Sequence, residues 1–417
     1  MSFANTYFQR FQAKEKQIED KPEKDLFLTL VIPSFNESGL CKSLQSIKDC
    51  AMPEKSVEVI IVINSSENTP KEIVEKNQIT YELARSFAKE NSTKRIKFYI
   101  LNFENLPKKF AGVGLARKIG MDEALQRYNL LEKPNGLIAG FDADALLDEN
   151  YFLEIEKFFN ENSKINGASI DFQHPIEGND YDEMIYKNII NYELHLRYFV
   201  EALRFANFPF AYHTIGSSFV VKADIYAKQG GMNRRKAGED FYFLQKIIPL
   251  GNYGEINTTK VIPSPRTSDR VPFGTGAAIS KMIEGNTHEF TTYSLDAFLL
   301  LKTFFELIPE FYKSFSYNNL PEIMEIFLKM NKFEEDYKKI KSNSPKINIF
   351  EKRFYDWFNA FRVIKFLNFA HDKFYKKNDV KNEAIKLLSL YHSSILIPNN
   401  EKELLTLYRN IQTKKYV

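Results

Sequence analysis

The chain has 417 residues, of which 44% are hydrophobic, and its 57 Lys and Arg against 54 Asp and Glu leave a formal net charge of +3. That is enough for a well-buried core and for two domains, or one domain with an appendage. The two signs interleave, which excludes the one-sided basic excess of a nucleic-acid binder; two cysteines, Cys41 and Cys50, exclude a disulfide scaffold and a zinc finger and suit a reducing compartment.

Residues 1–25 are polar and charged, read as a helix or a mobile arm, and lack the apolar stretch of a signal peptide. Leu26–Phe35 is a continuous apolar run ending in a polar turn, as expected of a strand buried on both faces. A helix follows over roughly Glu37–Cys50, then a second buried strand over Val57–Ser66 and a helix over Lys71–Glu90. Ile96–Leu101 is a third strand, Ala111–Gln126 a helix, and Gly136–Ala145 a fourth strand that runs into carboxylates. Strands alternating with helices predict an α/β domain, a mostly parallel sheet with helices on both faces. Ligands of such sheets sit beyond the carboxyl ends of the strands, where Ser34–Glu37, Asn64–Glu67 and Asp142–Asp144 all fall.

The middle, from Ile165 to Gly254, is mixed, with Phe219–Met232 reading as strand, short helix and glycine turn. Beyond about Phe290 the pattern is helical to Val417, with a loop at Lys341–Lys346. The run Leu295–Tyr312 is too short and too charged to span a bilayer. The expected organisation is an arm over 1–25, an α/β domain over 26–290 and a helical region over 291–417. The cytoplasm is the expected compartment, with attachment to a membrane surface left open.

Three stretches carry chemistry. Asp142 and Asp144 stand at i and i+2 after an apolar strand, so strand alternation turns both the same way and their repulsion calls for a hard divalent cation, Mg²⁺ or Mn²⁺. Gly238-Glu239-Asp240 opens a helix; its acids suit the helix dipole and also supply a carboxylate able to take a proton from an attacking hydroxyl. Ser264–Gly276 sets Arg266 and Arg270 among glycines and small polar residues, as a loop closing over a phosphate group would.

In order along the chain, VIPSFNE (Val31–Glu37), IIVINSS (Ile60–Ser66), GVGLARKIGMDEA (Gly112–Ala124), FDADALLD (Phe141–Asp148), TIGSSFVVKADIYAKQGGM (Thr214–Met232) and AGEDFYFLQKI (Ala237–Ile247) resemble family 2 of the GT-A glycosyltransferases over roughly residues 26–275. The resemblance implies a GT-A (Rossmann-like) domain and inverting transfer of a sugar from a UDP- or GDP-linked donor to a glycan, lipid-linked or small-molecule acceptor. It implies that Pro33, Ser34, Phe35, Glu37 and Asn64 line the nucleotide pocket and that Arg117 packs by the donor. Asp144 would be the main metal contact, with Asp142 holding the ribose or the metal shell. Asp240 would be the base, and Glu239 would orient the acceptor. Many members carry aspartate where this chain has Asn64, which loosens the nucleotide preference. Some add a late histidine ligand, for which His288, and after it His213, is in position. Two other readings share the layout: a sugar nucleotidyltransferase, disfavoured because Pro-Ser-Phe-Asn-Glu follows the first strand instead of a basic glycine-rich run, and a non-catalytic nucleotide-sugar-binding protein, disfavoured because both aspartates and Asp240 are present.

Overall fold

The apolar runs expected in a buried sheet form its parallel half in the computed structural model, which describes residues 2–11, 16–270, 274–285, 287, 289–392 and 394–414. Strands β1 (Leu28–Ser34), β2 (Val57–Ser66), β3 (Ile96–Leu106) and β4 (Leu137–Gly140) pair in parallel, in the order β3-β2-β1-β4. Alternate residues of these strands face opposite layers. Leu28, Leu30, Ile32, Val59 and Ile61 pack with Leu40, Leu44 and Ile47 of the helix Leu40–Asp49 and with Phe152 and Ile155 of the helix Tyr151–Glu161. Val31 and Val62 face the helix Val113–Leu130, closing on it at Gly120. Both faces are covered, so these strands read as unbroken apolar runs rather than alternating ones. Each buried aliphatic side chain there contributes about 1.5–3 kcal/mol, and a large-to-Ala change at Ile61 would cost about 2–5 kcal/mol.

The other half of the sheet is mixed. Strand β7 (Phe219–Lys222) runs antiparallel to β4 and to β6 (Gly167–Phe172), β8 (Tyr253–Ile262) runs parallel to β6, and the short β5 (Leu146–Leu147) closes the edge antiparallel to β8. The register slips between Ile170 and Asp171 where β6 meets β8. The result is the expected α/β domain, an eight-stranded, mostly parallel sheet flanked by helices, with a helical C-terminal region.

The chain divides into two compact units, residues 1–178 with 214–278, and 179–213 with 279–417. The first holds the sheet. Its N-terminal helix Asn5–Phe11 is docked along the Val113–Leu130 helix. Tyr7 donates to Asp122 (2.6 Å) and accepts from Lys118 (2.7 Å), Glu123 accepts the Gln17 amide (2.9 Å), and Arg127 reaches the Asp20 carbonyl (2.9 Å). These buried polar groups are satisfied by the arm, so the arm is held in place by them.

The second unit is helical. Helix starts at Leu295, Ala360, Val380 and Glu401 follow Ser294, Asn359, Asp379 and Asn400, whose side-chain oxygens accept free amides of the first turn. The helix Glu183–Phe205 is joined to Glu401–Gln412 by a buried polar seam. Glu193 accepts from Arg197 (2.8 Å) and Arg409 (2.7 Å), and Gln412 bonds Arg197 (2.8 Å) and Glu201 (3.0 Å). Among the described residues no helix is long and apolar enough to cross a membrane.

Candidate active site

The site forms where β1, β2 and β4 end and the loops of the first unit meet. Arg117 stands on the Val113–Leu130 helix, one turn in from the carboxyl edge of the sheet, and its side chain is 3% exposed. Its guanidinium donates from Nε to Glu239 Oε1 (2.9 Å), from Nη1 to the Gly216 carbonyl (2.6 Å), and from Nη2 to Asp142. Asp240 makes no bond to this cation, but its charge also acts on it. The turn after β4 and the start of the Glu239–Ile247 helix, far apart in sequence, are therefore tied through a single side chain.

Gly216 permits this. A Cβ there would meet Arg117 Nη2 at 2.6 Å and Asp240 Oδ2 at 3.0 Å, so a larger residue would push into the bonded cluster. Gly114 has a comparable role at the helix start, where a Cβ would lie 2.2 Å from the Arg235 carbonyl oxygen. Without that close approach the loop before Glu239 could not lie over the helix that carries Arg117.

One guanidinium faces three acids, and the electrostatics follow. Burial works against the Arg117 charge, but Asp142, Glu239 and Asp240 more than offset it and hold the guanidinium above its ordinary value. Burial likewise raises the Glu239 carboxyl, with Arg117 opposing and Asp240 adding to the rise. Asp240 is raised by burial, opposed by Arg117 and raised further by Asp142. Asp142 is raised by desolvation against the pull of Arg117, with Asp144 adding to the rise. A carboxylate pair with raised proton affinity is chemically suited to accept a proton.

A second charged group lies beside the first. Arg266 donates from Nε to Asp144 Oδ2 (2.8 Å) and from Nη2 to Glu37; Arg270 donates to the Phe35 carbonyl (2.8 Å) and to Glu37 Oε2 (3.3 Å), and its Nη2 is 3.8 Å from Asp144 Oδ2. Burial raises the Glu37 carboxyl, Arg266 opposes the rise and Asp144 adds to it. The two arginines sit in the loop that follows β8, with side chains 31% and 28% exposed.

At the carboxyl ends of the first two strands, Pro33 and Ser34 close β1 and Asn64 lies near the end of β2, all three buried, with Phe35 half-buried beside them. Asn64 Nδ2 donates to the Gly112 carbonyl (3.3 Å), and its own carbonyl accepts from Asn77 Nδ2 (3.4 Å). Asn77 also accepts the Asn36 amide (2.8 Å), so a helix residue fixes both strand ends. Asn77 gave no sequence signal, being one polar residue on a polar helix. Gly216 had one, its place in TIGSS just before β7.

Two expectations need correction. Strand alternation does not set the two aspartates, because β4 ends at Gly140 and Asp142–Ala145 forms a turn closed by the Ala145 amide on the Asp142 carbonyl (3.1 Å). Nor do they face each other without a counter-charge: Arg117 takes Asp142, and Arg266 with Arg270 takes Asp144. Of the histidines, His288 lies outside the described residues. His213 belongs to the second unit, where its Nε2 shares a hydrogen bond with Gln412 (3.1 Å) and burial, with Arg197 and Arg204, pushes it down to about 3.

Among the described residues no three His, Cys, Asp or Glu side chains gather as a metal cage. The donor set at the crevice is two partly exposed carboxylates, Asp142 and Asp144. Such a pair fits a hard cation that takes its other ligands from phosphate oxygens and water.

No family model matches the chain, and no curated protein matches it. Among solved structures it is similar to residues 1–349 of S. aureus TarS, at 12% identity, over 94% of this chain and 93% of that chain, with a TM-score of 0.36. The same protein in complex with UDP, and in complex with UDP-GlcNAc, gives the same identity and coverage with a TM-score of 0.37. A likeness of that size does not bear on the chemistry of the site, which is read from its own residues.

Proposed function

We propose that the chain is an inverting glycosyltransferase that moves a sugar from a nucleotide-diphosphate-sugar to an acceptor hydroxyl in one displacement. The observation that carries this reading is the bond set of Arg117, which brings Asp142 beside the Glu239–Asp240 pair in one crevice. Asp240 accepts the proton of the acceptor hydroxyl as its oxygen bonds the anomeric carbon, and the bond from that carbon to the diphosphate oxygen breaks on the opposite side. Glu239, anchored by Arg117, orients the acceptor. Pro33, Ser34, Phe35, Glu37 and Asn64 line the nucleotide end.

Arg266 and Arg270 exchange their carboxylate partners for the diphosphate, whose charge grows as it leaves. Asp144, with Asp142 beside it, would hold Mg²⁺ or Mn²⁺ together with the diphosphate oxygens. Such a cation supplies neutralisation of the leaving group's charge. The acids that remain on the Arg117 side are then free of the diphosphate and serve the acceptor.

A thermal-shift screen of nucleoside diphosphates and their sugars, with and without Mn²⁺, tests the reading. A stabilising response to UDP or GDP that grows with Mn²⁺ supports it. A response to nucleoside triphosphate with sugar phosphate instead would favour a nucleotidyltransferase.

A further inference from the structure

A basic patch borders the base side of the crevice, and the reaction outlined above makes no use of it. Lys108, Lys109, Arg234, Arg235 and Lys236 are all exposed. They come from two loops that pack together: Lys236 Cγ lies 3.3 Å from the position of a Cβ on Gly112, and the Arg235 carbonyl closes on Gly114. Lys109 and Arg234 reach the same ring, their charged groups 5.3 and 5.6 Å from the centroid of Phe110, and Arg235 stacks 3.6 Å over Tyr242. Among the described residues none of the five makes an ion pair. Glu67, the acid beside them, accepts the backbone amide of Lys108 (3.2 Å). Elsewhere in the site Arg117, Arg266 and Arg270 are matched to acids; here five like charges gather around two aromatic rings and have no acid partner among the described residues, which costs self-repulsion and suits an anionic partner.

The position of the patch says which partner. Asn233, inside the same loop, donates to the Glu239 carbonyl (2.8 Å), so the patch leads directly into the acid pair. The Arg117 cluster sets three acids against one cation, a surplus of negative charge that would repel an approaching anion. A cationic rim offsets that repulsion and draws an anionic chain to the base. In the reading above the loop arginines Arg266 and Arg270, bonded here to Asp144 and Glu37, serve the donor's diphosphate.

We infer that the acceptor is a polyanion, a chain bearing repeated phosphate or carboxylate groups, held along Lys108–Lys109 and Arg234–Lys236 so that its hydroxyl meets Asp240. The inference rests on the glycosyltransferase reading, and the test separates the two. The 417-residue protein is titrated with sodium polyphosphate, with alginate oligomers and with UDP and GDP, as wild type and as the double variants K109Q/R234Q and K108Q/K236Q. Transfer from UDP-sugars is then assayed with phosphorylated and carboxylated glycans beside their neutral counterparts. The expected result is binding of at least one soluble polyanion at about physiological salt, weakened tenfold or more in both variants, with UDP affinity and melting temperature unchanged. Anionic glycans should be used at least tenfold better than neutral ones, and the variants should lose that preference.

Absence of polyanion binding, or equal binding in the variants, overturns the inference while UDP binding leaves the enzyme reading standing. A matching loss of UDP affinity assigns the patch to the donor and overturns it as well. So does patch-dependent binding to anionic lipid vesicles with no binding of either soluble polyanion. If UDP and GDP fail to bind the wild type, the enzyme reading fails instead.

Discussion

Two arginine groups share the crevice, and they are built differently. Arg117 is 3% exposed, fixed on a helix packed against the sheet, and bonded to Glu239, Asp142 and a backbone carbonyl. Arg266 and Arg270 are 31% and 28% exposed, stand in a loop and bond Asp144, Glu37 and the Phe35 carbonyl. The first group has three acids for one cation and is part of the architecture. The second has two cations for two acids and is wet enough for its partners to be exchanged. On the proposed reading, the difference separates a group that positions chemistry from a group that trades a carboxylate for a phosphate.

The largest effect on that comparison should come from the fixed group's base. Asp240→Asn keeps the shape and removes the proton acceptor; turnover should fall about 10³-fold, with nucleotide affinity within about twofold by titration calorimetry. Turnover that survives the change would take the base role away from Asp240.

Next in size is Arg117→Met. It leaves buried Glu239, with Asp142 and Asp240 beside it, without their cation and should cost about 3–5 kcal/mol in denaturant unfolding. The sign with pH is fixed. Asp142, Glu239 and Asp240 are already raised, and Arg117 is what holds them down. Without it they rise further, so the variant regains stability as pH falls through their folded values and loses it as pH rises. A pH-independent deficit would mean the acids are not coupled to Arg117.

Arg266→Gln should do the opposite. Stability should change by about 1 kcal/mol or less, since Asp144 is partly solvated and buried Glu37 keeps Arg270 as a partner, while affinity for UDP should fall about tenfold, near 1.4 kcal/mol. A large drop in melting temperature with unchanged UDP affinity would place this loop in the architecture too.

The smallest expected effect is a shift in a pH profile. A base must be ionised, and burial with Asp142 raises Asp240, so the acid limb of kcat/KM should lie above the ordinary aspartate value of about 3.9. Asp142→Asn removes a neighbouring negative charge and frees Arg117, which should move the limb of the residual activity to lower pH.

Legibility in the sequence followed the same divide. Val57–Ser66 is legible to the residue because both faces of β2 are buried, so its apolar run is unbroken. Strands β6 and β8 were not read: GASIDF and YGEINTTKVI mix polar and apolar residues, and the pairing of the two strands slips in register. The acids and arginines of the site could be picked out as types, but not their partners. Arg266 meets Glu37 across 229 positions and Asp144 across 122, distances at which spacing carries no information. The arm reads as polar, yet its described residues dock through Tyr7 and Gln17, whose acceptors, Asp122 and Glu123, lie on a helix about a hundred residues away.

The most direct test of the divided crevice is calorimetric titration of UDP and GDP, with and without Mn²⁺, into the wild type and Asp144→Ala. The account predicts binding of one nucleotide that Mn²⁺ strengthens about tenfold or more, with the Mn²⁺ effect lost in the variant. No binding of either nucleotide at millimolar concentration, or a Mn²⁺ effect that persists without Asp144, would contradict it.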